Sequence, residues 1–325
     1  MPSIIVHHLF ANNIYNEINN KNNNLEKSKL IYKTFAQSHD YLYYFKNLNT
    51  KYSKEINELG HIAHREKTQT YFINLISYIK DNNLEKDSDI IAYLYGSLTH
   101  YILDANCHPF IFYKTGTYNK KNCETEKYHG EHTHIEKELD AYYFQKYYQK
   151  KYKYCNVSKD IIKKPIFSEE LIKAINYTYE TTYNEKNIGQ VYIQSLKVAK
   201  FIYTIIINDR FGWKRKLYSL IDKVTKKKFG NLASYSTHID NPNLNFLNLN
   251  HQTWNHPCFK EKTYNYSFDD LIKISHDECL NIINEIEKVL YQNQNLNSLY
   301  KIIPNKSYLT GLPLEENKKM RYFEY

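Results

Sequence analysis

Residues 95–110 read YGSLTHYILDANCHPF. Apolar side chains recur at helical spacing through this stretch, and His100 and Asp104 sit four residues apart. On a helix that spacing puts both side chains on one face, one turn apart, where they can address one ion. His108 follows four residues later on a nearby face. Helical periodicity extends outward from here. It marks 52–81 as one or two helices and 87–107 as another, with Asp87 and Ser88 as caps. The stretches 132–149, 168–184, 188–208, 212–227 and 267–293 complete the set, the last opened by a Ser267–Asp270 capping-box pattern. Two polar stretches, 114–130 and 229–265, read as loops. With only 8 Gly and 7 Pro in 325 residues, long helices joined by short loops are expected, not a many-stranded sandwich. No repeat or linker divides the chain. The expected fold is all-α, an irregular multi-helix bundle forming one domain over 1–325, with its chemistry concentrated in 1–145.

A second constellation lies in HGEHTHIEKELD, residues 129–140. Two pairs at i, i+4 overlap there, His132 with Glu136 and His134 with Glu138. With His132 set at zero and about 100° per residue, Glu136 falls at about 40° and Asp140 at about 80°. Ile135, Leu139 and Tyr142 fall at about 300°, 340° and 280°, so His132 and Glu136 border the apolar face. His134 and Glu138 are expected further round, toward solvent. Ten of the 14 histidines lie within the first 134 residues, and Asp40 and His64 add an acid and an imidazole upstream of the two helical pairs. Imidazole nitrogen and carboxylate oxygen are the donors that zinc takes in catalytic sites.

Composition narrows the classes further. With 42% apolar and 24% charged residues the chain is globular, not disordered. Its 34 tyrosines, with abundant Lys, Asn and Ile, read first as compositional bias. The net charge of +9 suits phosphate-bearing partners, although the lysines look spread along the chain. Five cysteines without a CxxC pair suggest neither a disulfide framework nor a thiolate zinc site. The start, MPSIIVHHLFANNIYNE, lacks the basic n-region and apolar run of a secretory signal, and no apolar stretch is long enough to span a bilayer. A soluble, reducing, cytoplasmic setting is the expectation; the oligomeric state is not legible.

VHHLF near the start, QSHDYLYYF, LGHIAHREKTQ, LTHYILDANCHP and HTHIEKELD together resemble the zinc-dependent phospholipases C, whose all-helical fold is shared with fungal single-strand nucleases. NFLNLNHQTWNHP and the helix from Ser267 look like an intracellular branch of that family. The resemblance implies three metal positions. Asp40, His64, His100 and Asp104 would hold the first. Asp104 would bridge to a second beside His7, which in secreted relatives is completed by the processed N-terminal residue; this chain begins Met1–Pro2. His108, His132 and Glu136 would hold the third, with His108 closer in sequence to Asp104 than in the secreted enzymes. His8, His61 and His134 compete with His7, His64 and His132. His39 and Asp140 would support ligands from behind, and His238, His251, His256 and His276 have no motif company.

The resemblance implies phosphodiester hydrolysis with two or three Zn²⁺ ions, on a phospholipid or a related head-group ester. Asp40 is the carboxylate expected to touch the attacking water, as ligand, orienter or base. A nuclease or phosphomonoesterase on the same metals is the first alternative, and a non-catalytic, metal-stabilised binding protein the second.

Overall fold

In the computed structural model, which describes residues 3–21, 23–316 and 318–324, eleven α-helices are joined by short 3₁₀ turns. They are α1 (Ile4–Lys21), α2 (Lys29–Phe35), α3 (Thr50–Ala63), α4 (Thr68–Asp81), α5 (Ser88–Thr115), α6 (Glu131–Tyr148), α7 (Val157–Asp160), α8 (Glu169–Tyr183), α9 (Ile188–Ile202), α10 (Trp213–Val224) and α11 (Phe268–Tyr291). The described strands are two-residue pieces, β1 (Trp254–Asn255) and β2 (Thr263–Tyr264), paired antiparallel. The fold is all-α. No described helix is long and apolar enough to cross a membrane.

α5 is the axis. Asp87 caps it, its carboxylate accepting from the N–H groups of Asp89 (2.9 Å) and Ile90 (3.1 Å). Nearly every residue from Ile90 to Ile111 is buried, because α1, α2, α4, α6, α8 and α11 all pack around it. At Gly96 the α2 backbone comes so close that a Cβ would stand 2.4 Å from the Tyr32 carbonyl oxygen.

The helix runs eight residues past its expected end, through Pro109. Proline leaves the Ala105 carbonyl without its helical donor. The C-terminal segment fills this weak point: at Gly311, a Cβ would lie 2.3 Å from that carbonyl, so only glycine lets the two backbones meet.

Most other expected helices are present with shifted ends. The stretch 52–81 is two helices, split at Lys67 in a left-handed conformation (φ 53°). The Ser267–Asp270 capping box is formed. The helix expected to run to 208 stops at Ile202 and passes into a single wider π turn. Helices α1 and α2 were not legible. α1 is buried between α5, α6 and α11 over its first two turns, so a polar face, with Asn13, Asn16 and Glu17 exposed, appears only in its second half, and two histidines interrupt the apolar run. The cysteines are all free thiols, and all but Cys123 are buried.

Candidate metal centre

Five segments converge on one buried spot. α1 carries His7; the 3₁₀ turn Ser38–Tyr44 carries Asp40; His64 is the C-cap of α3; α5 carries His100, Asp104 and His108; and α6 carries His132 and Glu136. All are buried except His132, which is 26% exposed on its side chain.

Their donor atoms fall into three groups: His7, His100 and Asp104; Asp40, His64 and His100; His108, His132 and Glu136. Within each, one ligand atom per residue lies within 4.8 Å of the others. Asp104 joins them. Its Oδ1 is 3.0 Å from His7 Nε2, while Oδ2 is 3.5 Å from His100 Nε2 and 3.9 Å from His64 Nε2. Asp40 faces His64 Nε2 at 3.3 Å and His100 Nε2 at 3.6 Å, and Glu136 Oε1 is 3.1 Å from His132 Nε2 and 3.7 Å from His108 Nε2.

Three observations suit metal ions. Ligand atoms about 2.0–2.1 Å from a tetrahedral zinc lie roughly 3.3 Å from one another, close to these separations. The orientation of two imidazoles is set from behind: His64 Nδ1 donates to the Gly60 carbonyl (2.6 Å) and His108 Nδ1 to the Tyr308 carbonyl (2.9 Å), which directs both Nε2 atoms toward the centre. And Asp40 Oδ2, Asp104 Oδ2, Glu136 Oε2 and His100 Nε2 are buried without a hydrogen-bond partner, a costly arrangement that a shared cation relieves.

The electrostatics divide the carboxylates. Burial pushes Asp40 above the usual carboxylate range. Burial acts the same way on Asp104 and Glu136, but the imidazoles of His108, His100 and His7 around the first, and of His132 and His108 around the second, hold both well below it. Burial keeps His100 and His39 neutral, whereas His108, facing Asp104 and Glu136, is raised to about 9 despite its burial.

The competing histidines stand apart. His8, His61 and His134 belong to none of the three donor groups. His61 is exposed against Tyr43, and burial near Lys33 and Lys163 depresses His8 to about 4. Of the four later histidines, His256 is buried and donates to the Thr310 carbonyl (2.9 Å), and His276 pairs with Glu17. Met1 and Pro2, expected near the position beside His7, lie outside the described residues.

Two expectations need correction. Glu138 does not face solvent: it is buried, and its carboxylate accepts the Asn243 N–H (2.9 Å), because the 229–265 loop folds over that side of α6. Asp140 orients no imidazole. Its Oδ1 accepts from Ser3 Oγ (2.6 Å) and the Ile5 N–H (2.8 Å), and its Oδ2 accepts from Lys137 Nζ (3.1 Å). Asp140 thus caps α1, the helix that carries His7. His39 lies behind the centre with its Nδ1 2.5 Å from the Tyr179 hydroxyl, in a buried network with Tyr71, Tyr93 and Tyr192.

The sequence reading missed the C-terminal segment. Tyr308 is fully buried with its ring against His39, His64 and His100, and its N–H donates to the His64 carbonyl (3.0 Å). Nothing in NKSYLTGLP carries a ligand pattern; Gly311 followed by Pro313 reads only as a turn. This segment, the 116–130 loop and residues 229–235 line a cavity of about 850 Å³ that reaches His132 and carries Arg65, Lys318 and Lys319 on its wall.

The described residues form an all-helical body around a buried carboxylate set among imidazoles, an arrangement able to bind metal. The chain belongs to the zinc dependent phospholipase C family, whose model matches residues 6–189, from α1 into the first turn of α9. No curated protein and no solved structure gives a significant match.

Proposed function

We propose that this protein is a zinc-dependent phosphodiester hydrolase of the phospholipase C type, acting on a phospholipid or a related head-group ester with two or three ions. The observation that carries the reading is the shared Asp104: one buried carboxylate joins neighbouring donor groups, and one ligand of the third group, His132, opens onto a cavity with basic walls. Asp40, His64, His100 and Asp104 would hold one ion, Asp104 and His7 a second, and His108, His132 and Glu136 a third. Zinc in such a site polarises phosphate oxygens and lowers the pKa of water toward neutrality. Arg65, Lys318 and Lys319 draw a phosphate anion into the cavity and orient it. His132, the partly exposed ligand, marks the side from which substrate arrives. Asp40, whose Oδ2 has no hydrogen-bond partner, would touch the attacking water as ligand, orienter or base. Tyr308 and the aromatic wall behind His39 exclude solvent from the opposite side.

The test is metal analysis of the purified protein, then a phosphoester panel with and without chelator. Zinc content and chelator-sensitive turnover of a lipid head-group diester are expected. Preferential cleavage of a single-stranded oligonucleotide would move the assignment to a nuclease. Bound zinc without turnover of any phosphoester would overturn the hydrolase.

A further inference from the structure

α10 is turned inside out. Trp213, Leu217, Leu220 and Val224 fall within an arc of about 60° at 100° per residue, a stripe that normally faces a core. Here they are 57%, 44%, 59% and 76% exposed. The polar side does the packing instead. Lys214 is buried and donates to the Asn208 carbonyl (2.6 Å), the Arg215 N–H donates to the Asp209 carboxylate (2.8 Å), and buried Asp222 accepts from the N–H groups of Leu232 (3.0 Å) and Ala233 (2.9 Å). Phe211 and Phe229, just outside the two ends of the helix, are exposed as well.

Charge surrounds the stripe. Residues 210–228 hold eight Lys and Arg and one acid, Asp222, which is buried; most of the chain's net charge of +9 therefore comes from this segment, not from lysines spread evenly. Lys216 and Lys223 border the stripe and, with Arg215, line a groove of about 690 Å³ beside Leu220 and Phe211.

We propose that α10, with Phe211 and Phe229, is a docking surface for an anionic phospholipid bilayer. An apolar stripe with tryptophan at one end and lysines along its border is the pattern of a helix lying in the interface, side chains among the acyl chains and ammonium groups at phosphate level. Charge argues against a second copy of the chain, since a two-fold contact through the stripe would bring the same lysines toward one another. The surface is also continuous with the mouth of the cavity. Phe229 and Tyr235 line that cavity, and Asp222 ties α10 to the 230–235 turn beside it. A protein docked this way presents the cavity to lipid head groups. The docking surface stands on its own residues and does not require the hydrolytic reading.

The test uses the whole protein with vesicles of phosphatidylcholine, with and without phosphatidylserine. Of the two tryptophans, Trp254 is buried and Trp213 exposed, so a blue shift in emission reports α10 entering lipid. Binding and a blue shift on phosphatidylserine vesicles, weakened by salt, are expected. A triple Leu217→Gln, Leu220→Gln, Val224→Gln variant and a double Lys216→Glu, Lys223→Glu variant should each lose about tenfold or more in partitioning. Both should keep the wild-type thermal midpoint. Absence of wild-type binding, equal binding by the triple variant, or a wild-type dimer that the triple variant abolishes would each overturn the proposal. Vesicle binding without turnover of any phosphoester would refute the hydrolase alone; turnover of a soluble diester without vesicle binding would refute the docking surface alone.

Discussion

Helices α6 and α10 depart from the usual partition of polar and apolar residues in opposite directions. On α6 a run of charge, Glu136, Lys137, Glu138 and Asp140, is buried. On α10 a run of apolar side chains is exposed. Each departure opposes stability, the first by desolvating charge and the second by leaving apolar surface in water. They are offset differently. The α6 charges are each matched: Glu136 by imidazoles, Lys137 by Asp140, Glu138 by the Asn243 N–H, and Asp140 also by the start of α1. The α10 stripe is matched by nothing in the described residues. A buried polar group with partners supports a site inside the molecule, whereas an exposed apolar stripe points to a partner outside it.

The largest effects should come from the interior. Asp40→Asn keeps size and shape but removes the charge and the proton acceptor, so turnover should drop by about a hundredfold or more. Wild-type turnover in that variant would show that Asp40 has no part in the chemistry. Chelation should lower the thermal midpoint by about 10 °C or more, with zinc restoring it, because ions that join five segments add their binding free energy to folding. An unchanged midpoint in fully metal-free protein would mean that the convergent carboxylates and imidazoles hold no ion.

Zinc stoichiometry sharpens the α6 side of the contrast. His132→Ala and Glu136→Gln should each lose about one ion, and His134→Ala and Glu138→Gln none. Glu138→Gln should still cost stability, roughly 1 kcal/mol, since it weakens the hydrogen bond that holds Asn243. Ion loss from the second pair would mean the wrong turn of the helix had been chosen.

Paired leucines give the most direct comparison of inside with outside. Leu98→Ala, in the fully buried face of α5, should cost about 2–5 kcal/mol in urea denaturation. Leu220→Ala should stay within about 0.5 kcal/mol. A large loss at Leu220 would show that the stripe packs against something within the chain.

The smallest expected effect is on pH. Burial depresses His256, which pins the Thr310 carbonyl. Between its folded value and the ordinary value near 6.5, the unfolded chain binds a proton that the folded chain does not. This contribution is therefore complete above about pH 6.5 and shrinks as pH falls. His256→Gln should unfold with a shallower loss of stability between about pH 7 and 5.5; an identical pH slope would place the sensitivity elsewhere.

Local chemistry, read along the chain, was enough to set His100 beside Asp104, and His132 beside Glu136, and for most helices after residue 50, because helix geometry converts sequence separation into angle. The caps at Asp87 and Ser267 were legible for the same reason: a cap is completed within three residues. Only the tertiary structure decided the rest. α1 gave no clear period because neighbours surround its first two turns, and Asp140 caps that helix from a position more than 130 residues later in the chain. Tyr308 stands against His64 and His100 because Gly311 allows the C-terminal segment to meet α5 at Pro109, a contact no local pattern encodes. And the 3.6-residue period that announced a helix over 212–227, present over 213–224, carries no statement of which side faces water; that depended on Asp209, on the 230–235 turn and on the polar contacts they offered to the other face.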